Sequence, residues 1–413
     1  MPLLTFIGQN MRWLAGGFLL TFCSAFGQTF FIALSAGEIR ATYDLSHGQF
    51  GNLYMLATLA SALTLPWLGK IVDRFSAAHV TLIIMPALAL ACVAMAWSTH
   101  LLVVIVAIYM LRLFGQGMMT QNALTATGRW FAANRGKAVS VVTLGHNASE
   151  ALLPLAFVLL AALIGWRDVW LVSAGVIILL AMPAIYALLR QERQPRSTDV
   201  MPVESQVREW TRGEVLRDPL FWVLLAGVLA PPTIGTVILF HQIYLVELRG
   251  WSLDVFVASF SVMAISTIVF ALISGWLIDR FTAVRMLPAF LVPLALACFI
   301  LAGFSGSWAP FAFMSIMGIS YGFSSTLFGA LWPEIYGTRH LGAIRALIVS
   351  AMVFATAAGP GLTGTLIDLG VSYPGQIGVM GVYCLLVCVV MFWVSGQLRA
   401  RANAMLAKHA PSG

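Results

Sequence analysis

The chain has 413 residues, of which 60% are apolar and 9% charged, with a formal net charge of +7. Soluble domains carry about 25% charged residues, so a mean hydropathy of +0.91 excludes water as the main solvent of this chain. The positive charge is spread over short segments, none long enough to build the clustered basic face of a nucleic-acid-binding module.

Crossing a bilayer takes about 20 consecutive apolar residues per helix. Twelve runs reach that length, roughly at 13–35, 50–72, 79–97, 101–125, 138–163, 168–190, 219–245, 255–278, 284–303, 309–332, 343–367 and 375–396. Arg12 ahead of the first run, with small residues near Ser35 and Ala36, resembles a signal peptide. That run exceeds the apolar core of about 7–15 residues such signals use, and cleavage would leave an unpaired set of helices, so it is expected to be retained. Residues 191–217 form the one long polar stretch, rich in Arg, Glu and Asp. They read as a solvated linker between an N-terminal bundle (1–190) and a C-terminal bundle with a short tail (218–413).

If the linker is cytoplasmic, all of the 23 Lys and Arg except Arg40, Arg167, Arg249 and Arg112 fall at cytoplasmic ends and loops. The positive-inside rule then places both termini in the cytoplasm. The five cysteines, Cys23, Cys92, Cys298, Cys384 and Cys388, lie inside apolar runs without metal-ligand partners, which argues for packing and against disulfides or a metal site.

The segment GKIVDRF at 69–75 returns as GWLIDRF at 275–281, each time at the same end of a hydrophobic helix. Gly69 and Gly275 would let neighbouring helices approach closely. Asp73 with Arg74, and Asp279 with Arg280, place an acid and a base at a tight turn. Such an acid can accept from the N-terminal amides of an adjacent helix and hold one conformation of the bundle, so these six residues are the expected gating elements.

With twelve spans, a central linker and both copies of this motif, the chain resembles the major facilitator superfamily of secondary transporters, whose loop between helices 2 and 3 reads Gly-x-x-x-Asp-Arg. After Arg74 this chain has Ser76, Ala77 and Ala78 where that family has a further Gly and bases. A second family pattern, Arg-x-x-x-x-Gly on helix 4, matches Arg112 and Gly117 in RLFGQGMMTQNA. The resemblance implies an all-α membrane protein of twelve transmembrane helices in two pseudo-symmetric six-helix bundles, in which helices 1 and 4 line a central cavity.

A charge at mid-membrane costs several kcal/mol and marks a functional site by default. By helical rise, Arg112 lies about 16 Å from the start of helix 4 and Glu150 about 12 Å from the same face of the core, within roughly one turn of the same level. Arg112 is therefore expected to pair with Glu150, either as a proton-coupling site or as a rigid ion pair. His146, four residues before Glu150, falls on the same face of helix 5. It can share the proton-coupling role and contact solute, or simply hydrogen-bond to Asn147 or Gln121. Gln28 on helix 1 and Gln116, one turn from Arg112, are candidate neutral contacts to solute.

In the second half, Pro231, Pro232 and Gly235 suggest an interrupted helix 7, with His241, Gln242 and Tyr244 at its outer end. Tyr321 on helix 10 and Phe354 on helix 11 are the candidate solute contacts there. The charged groups are thus expected to come from the first half and the hydroxyl and aromatic groups from the second.

The NRGKAVSVVTLG start of helix 5 and the GLTGTLID end of helix 11 resemble the monocarboxylate and oxalate branch of the family. The expected function is proton-coupled symport of a small organic solute, an organic anion or carboxylate foremost. A multidrug or metabolite efflux antiporter is the alternative, and a non-transporting receptor or scaffold a second one. No nucleophile triad, metal cluster or phosphate loop is present to suggest an enzyme, and no cofactor is expected. The expected partners are a small-molecule substrate, protons and the lipid bilayer, not nucleic acid. Short loops suggest a bacterial inner membrane, and the family resemblance suggests a monomer.

Overall fold

The computed structural model describes residues 3–131, 135–191, 193, 208–337 and 340–409. Among these, eleven helices are long and apolar enough to cross a membrane, and two shorter ones meeting at 44° supply a twelfth span. In chain order they are α1 (Thr5–Gly27 continued by Thr29–Tyr43), α2 (His47–Val72), α3 (Ala77–Ala96), α4 (Leu101–Trp130), α5 (Ala138–Ile164) and α6 (Trp166–Leu189). The second set is α7 (Pro219–Phe240), α8 (Leu253–Ile278), α9 (Ala283–Gly303), α10 (Ala309–Tyr336), α11 (Leu347–Asp368) and α12 (Tyr373–Asn403). No strand occurs among the described residues. Many large apolar side chains, Leu63, Leu163, Leu272 and Phe392 among them, are exposed, as lipid-facing residues should be and water-facing ones rarely are.

Local chemistry sets where helices begin. Ser46 accepts from the Gln49 amide while the Gln49 side chain accepts from the Ser46 amide, a capping box that opens α2. Ser76 caps α3 in the simpler form. Pro219 sits in the first turn of α7, where its missing N–H costs nothing, and Asp218 accepts from the Leu220 amide. Pro231 and Pro232 have the expected effect: α7 is interrupted at Leu229, between helical stretches Pro219–Val228 and Ala230–Phe240.

Within the first six helices α1 packs on α5 and α3 on α6; within the last six, α8 packs on α10 and α9 on α12. Between the halves α2 lies against α11 and α5 against α8. A shift of six that exchanges the halves takes α2 to α8 and α11 to α5, so it turns one pair into the other, as a pseudo-twofold arrangement requires. The hydrogen bonds and ring contacts between the halves given next lie toward the end opposite the two Asp-Arg motifs, here called the distal end. Gln242 Nε2 donates to Phe30 O (3.0 Å) and Ser261 Oγ to Ala151 O (3.2 Å). The His47 ring lies 4.2 Å from Tyr244, and Phe50 stacks on Phe240 at 5.3 Å. Glycines make the seam tight: a Cβ at Gly51 would stand 2.7 Å from Pro360 O, and one at Gly364 2.5 Å from His47 O.

The stretch 191–217 is not uniformly solvated. Residues 194–207 are outside those described, but Arg208–Arg217 is docked on the last six helices. The Trp210 amide donates to Tyr336 O (3.0 Å), and its indole lies between the guanidinium groups of Arg208 (4.7 Å) and Arg401 (5.1 Å). Thr211 and Glu214 form a capping box for the short helix Arg212–Arg217. Arg401 holds Asp218 with two bonds of 2.7 and 3.0 Å, and the Tyr336 hydroxyl donates to the same carboxylate at 3.1 Å. The helix containing α12 runs on to His409, well past the expected end at 396, and so carries Arg401 to this corner.

Burial pushes the Asp218 carboxyl up, but the bonds from Arg401, the Leu220 amide and Tyr336 outweigh it and hold the group below its usual value. The folded state then binds fewer protons here than the unfolded chain. Its stabilisation is present above the unfolded pKa of about 4 and is lost as pH falls through the lower, folded value. The melting temperature should therefore fall more steeply between about pH 6 and pH 3 in the native protein than in Asp218→Asn; equal slopes would show that the pair adds nothing.

Candidate functional site

The site is built on two distorted helices that meet. The first part of α1 is α-helical to Cys23, tightens to a 3-10 turn over Ser24–Gly27, and breaks at Gln28, whose backbone is extended (φ −84°, ψ 152°). Opposite it α4 widens to a π-helix over Leu111–Met119, a form that recurs at functional sites. The reason is close backbone contact: a Cβ at Gly27 would be 2.0 Å from Leu111 O, and one at Gly115 would be 2.7 Å from the Gly27 Cα. The same tripeptide, Phe-Gly-Gln, supplies both sides, at 26–28 and 114–116.

Arg112 stands in the π-helical turn and is 5% exposed. Its Nη1 donates to Gly27 O (3.2 Å) and Thr29 Oγ1 (3.3 Å), and its guanidinium lies 5.6 Å from the Tyr54 ring centre. Thr29 Oγ1 in turn shares a 2.8 Å hydrogen bond with the Tyr54 hydroxyl. The Arg112 Nε is buried without a hydrogen-bond partner. All the groups holding this cation are therefore neutral.

The expected ion pair between Arg112 and Glu150 is not formed. Glu150 is 8% exposed on α5 and has neither an ion-pair nor a hydrogen-bond partner among the described residues. The depth argument fixes level along the membrane normal but not direction around each helix. Arg112 turns toward α1 and α2, whereas Glu150 is near enough to the Tyr321 hydroxyl of α10, in the other half, to interact with it electrostatically. That hydroxyl rests on α7 at Gly235, where a Cβ would lie 1.7 Å from it.

The other expected residues distribute as follows. His146 makes no hydrogen bond to Glu150, Asn147 or Gln121; its ring is 6.2 Å from Phe30, which is 6.3 Å from Phe260 across the seam. Gln28 and Gln116 are half-buried at the break and in the π-helical turn, so the two are brought to one place. Phe354 is 64% exposed. It lies two turns before Gly361, on the face of α11 that touches Asn52 of α2 farther along.

Of the motif residues, Gly69 permits close packing, since a Cβ there would be 2.7 Å from Gln121 Nε2. Gly275 does not, because its nearest neighbour would be Thr326 Cγ2 at 3.9 Å. Close approach of α8 and α10 is instead made by Gly318 and Gly322, which press on Met263 O and Thr267 O. The side chains of Asp73 and Asp279 lie outside the described residues. Arg74 is exposed, and Arg280 lies over Trp276 (5.6 Å) and Phe281 (5.5 Å). Glu334, which the sequence reading passed over, makes a bond of the kind foreseen for the motif acids: its Oε2 accepts from the Ala283 amide at the start of α9 (2.8 Å).

Sequence reasoning also missed Gly27, Thr29, Tyr54 and Gly115. The doubled Phe-Gly-Gln was the available signal, because a helical glycine repeated beside a polar residue in two membrane spans marks close backbone contact.

Two packed six-helix halves, a broken first helix and a buried cation at the break describe a membrane-embedded carrier of small molecules. Residues 17–344 and again 257–411 match the family described as Major Facilitator Superfamily, and the chain belongs to it. It is a transporter and not an enzyme, and an integral membrane protein that spans the bilayer many times. Among solved structures it is similar to a bacterial homologue of the human lysosomal transporter Spinster in an inward-facing, unoccupied conformation, with 17% identity, 98% and 99% of the two chains covered and a TM-score of 0.68. The occupied form of that homologue gives a TM-score of 0.64 at 17% identity over the full length of both chains. The nucleoside transporter NupG, solved as a point mutant, gives 0.70 at 12% identity, covering 92% and 99%. At these identities the likeness is one of fold. No curated protein matches the chain.

If the seat of Gly27 on α4 organises the site, Gly27→Ala should lower the melting temperature and the folded yield, as overpacking costs about 1–3 kcal/mol. Gly8→Ala, which has open space around it, should leave both unchanged. Equal behaviour of the two variants would refute the tight seat.

Proposed function

We propose that the protein is a proton-coupled symporter of a small organic anion, a carboxylate foremost, in which the halves 1–190 and 218–413 rock about the midplane and expose the site to each side in turn. The supporting observation is Arg112: a buried guanidinium with an unpartnered Nε and only neutral acceptors around it. A buried charge without a counter-ion is costly, and an anionic solute supplies what the protein does not. Gln28 and Gln116 stand at the same break to contribute neutral hydrogen bonds. From the other half, Tyr321 and Phe354 are the aromatic contacts assigned to the solute.

The proton is carried by Glu150, with His146 one turn away. Because Glu150 does not hold Arg112, its protonation acts through the interface with Tyr321 and not by releasing the guanidinium directly. In this reading the end bearing the Asp-Arg motifs is cytoplasmic, as the distribution of Lys and Arg supports. The closed distal seam then corresponds to an inward-facing state in a bacterial inner membrane. The protein works as a monomer, and Gly69, Asp73, Arg74 with Gly275, Asp279 and Arg280 serve the cytoplasmic gate.

A thermal-shift screen across organic acids, amino acids, nucleosides and lipophilic cations tests the solute class, since a ligand stabilises the native state by mass action. Stabilisation by one class of anion, lost in Arg112→Ala, is the expected result. Stabilisation confined to lipophilic cations would replace this reading with efflux.

Coupling is tested separately in vesicles. Glu150→Gln should retain solute counterflow but lose accumulation driven by a pH gradient. Accumulation that survives the substitution would remove Glu150 from the coupling role.

A further inference from the structure

Asp368 ends α11 at the distal end and is exposed there. Its Oδ2 accepts from Ser46 Oγ (2.6 Å) and from the Gly48 amide (2.8 Å). These donors belong to the start of α2, in the other half, 320 residues or more away in the chain. A carboxylate at a helix N-terminus is favoured by the exposed amides and the helix dipole, and hydrogen bonds to a charged acceptor are about twice as strong as neutral ones.

Ser46 is satisfied on both sides. Its hydroxyl accepts from the Gln49 amide (3.1 Å) and donates to Asp368, so the intrahelical cap of α2 and the bond between halves are one unit. The glycines beneath make the contact all-or-none. A Cβ at Gly48 would stand 2.5 Å from Asp368 Oδ2, and one at Gly361 2.6 Å from Asn52 Oδ1, so the bonds exist only while the two backbones touch. Around the carboxylate stand the Arg40 guanidinium and the His47 ring, with His47 in tilted contact with Tyr244 and 6.0 Å from the His241 ring; Glu247 also interacts with Arg40.

We propose that Asp368 is the latch of the distal side: a positioning residue that caps α2 from the opposite half and sets the ratio of distal-closed to distal-open protein. The proposal rests on the rocking cycle above but not on the identity of the solute. It gives the distal end the device that the sequence reading expected of the motif acids at the other end.

The test uses paired spin labels at Thr99→Cys and Ser307→Cys, exposed distal-loop positions in the two halves; the five native cysteines are buried. In full-length protein in lipid nanodiscs, the label separation is read by double electron–electron resonance. Asp368→Ala should add a longer-distance population, shifting the closed-to-open ratio by about tenfold, the factor expected for losing charge-assisted bonds. Asp368→Asn, which keeps an acceptor but loses the charge, should fall between. Ser46→Ala removes the donor from the other half and should act in the same direction, so a fold defect at position 368 would not hide the effect. If acidification or a stabilising solute separates the labels in the native protein while Asp368→Ala and Ser46→Ala leave the distribution unchanged, the latch is overturned and the rocking cycle stands. Labels that never separate under any condition overturn both.

Discussion

A glycine seated on a backbone is the constraint on which the site depends. Gly27 has no Cβ, and its contact with Leu111 O and the Gln116 amide leaves no room for one. The contact breaks α1, stretches Gln28 and leaves the Gly27 carbonyl free to receive Arg112. Beyond the break the restarted helix carries Phe30 to the interface between the halves, where its carbonyl accepts from Gln242 and its ring meets His146 and Phe260. The π-helical turn of α4 is the matching distortion. One close contact thus positions a buried cation and part of the seam that must open and close around it.

The seam itself shows how two halves can part without an excessive penalty. Few side-chain hydrogen bonds cross it among the described residues, and glycines let α2 and α11 fit backbone to backbone. Shape and a small number of polar contacts hold it together. Each half has its own internal packing, α1 on α5 and α8 on α10. At the opposite end Trp210 and the Asp218–Arg401 pair anchor the end of the linker to the last six helices. The last residues of the linker thus belong structurally to the second half.

Much of the fold was legible in the sequence because its causes are local or additive. Hydrophobic length marked most of the spans closely, though α1 and α12 run well beyond their expected bounds, and Pro231 with Pro232 marked the interruption in α7. The Asp-Arg repeat announced the duplication that appears as the paired contacts of α2 with α11 and α5 with α8. The site was legible only in part. Composition singled out Arg112 and Glu150, since charges are rare in such helices, and both are buried. It paired them wrongly, because depth follows from counting residues while facing follows from the π-helical turn and the break. Likewise the close approach expected at Gly275 is made by Gly318 and Gly322.

The sequence alone determined that this chain lives in a membrane, crosses it about twelve times and was built by duplication. Those conclusions rest on apolar length and on self-similarity, which do not depend on how helices face one another. Tertiary structure decided what each polar group meets: that Arg112 is held by neutral acceptors, that Glu150 does not pair with it, and that Asp368 caps a helix far away in the chain. A contact requires two helices to present particular faces at a particular distance, and that information exists only once their backbones have packed.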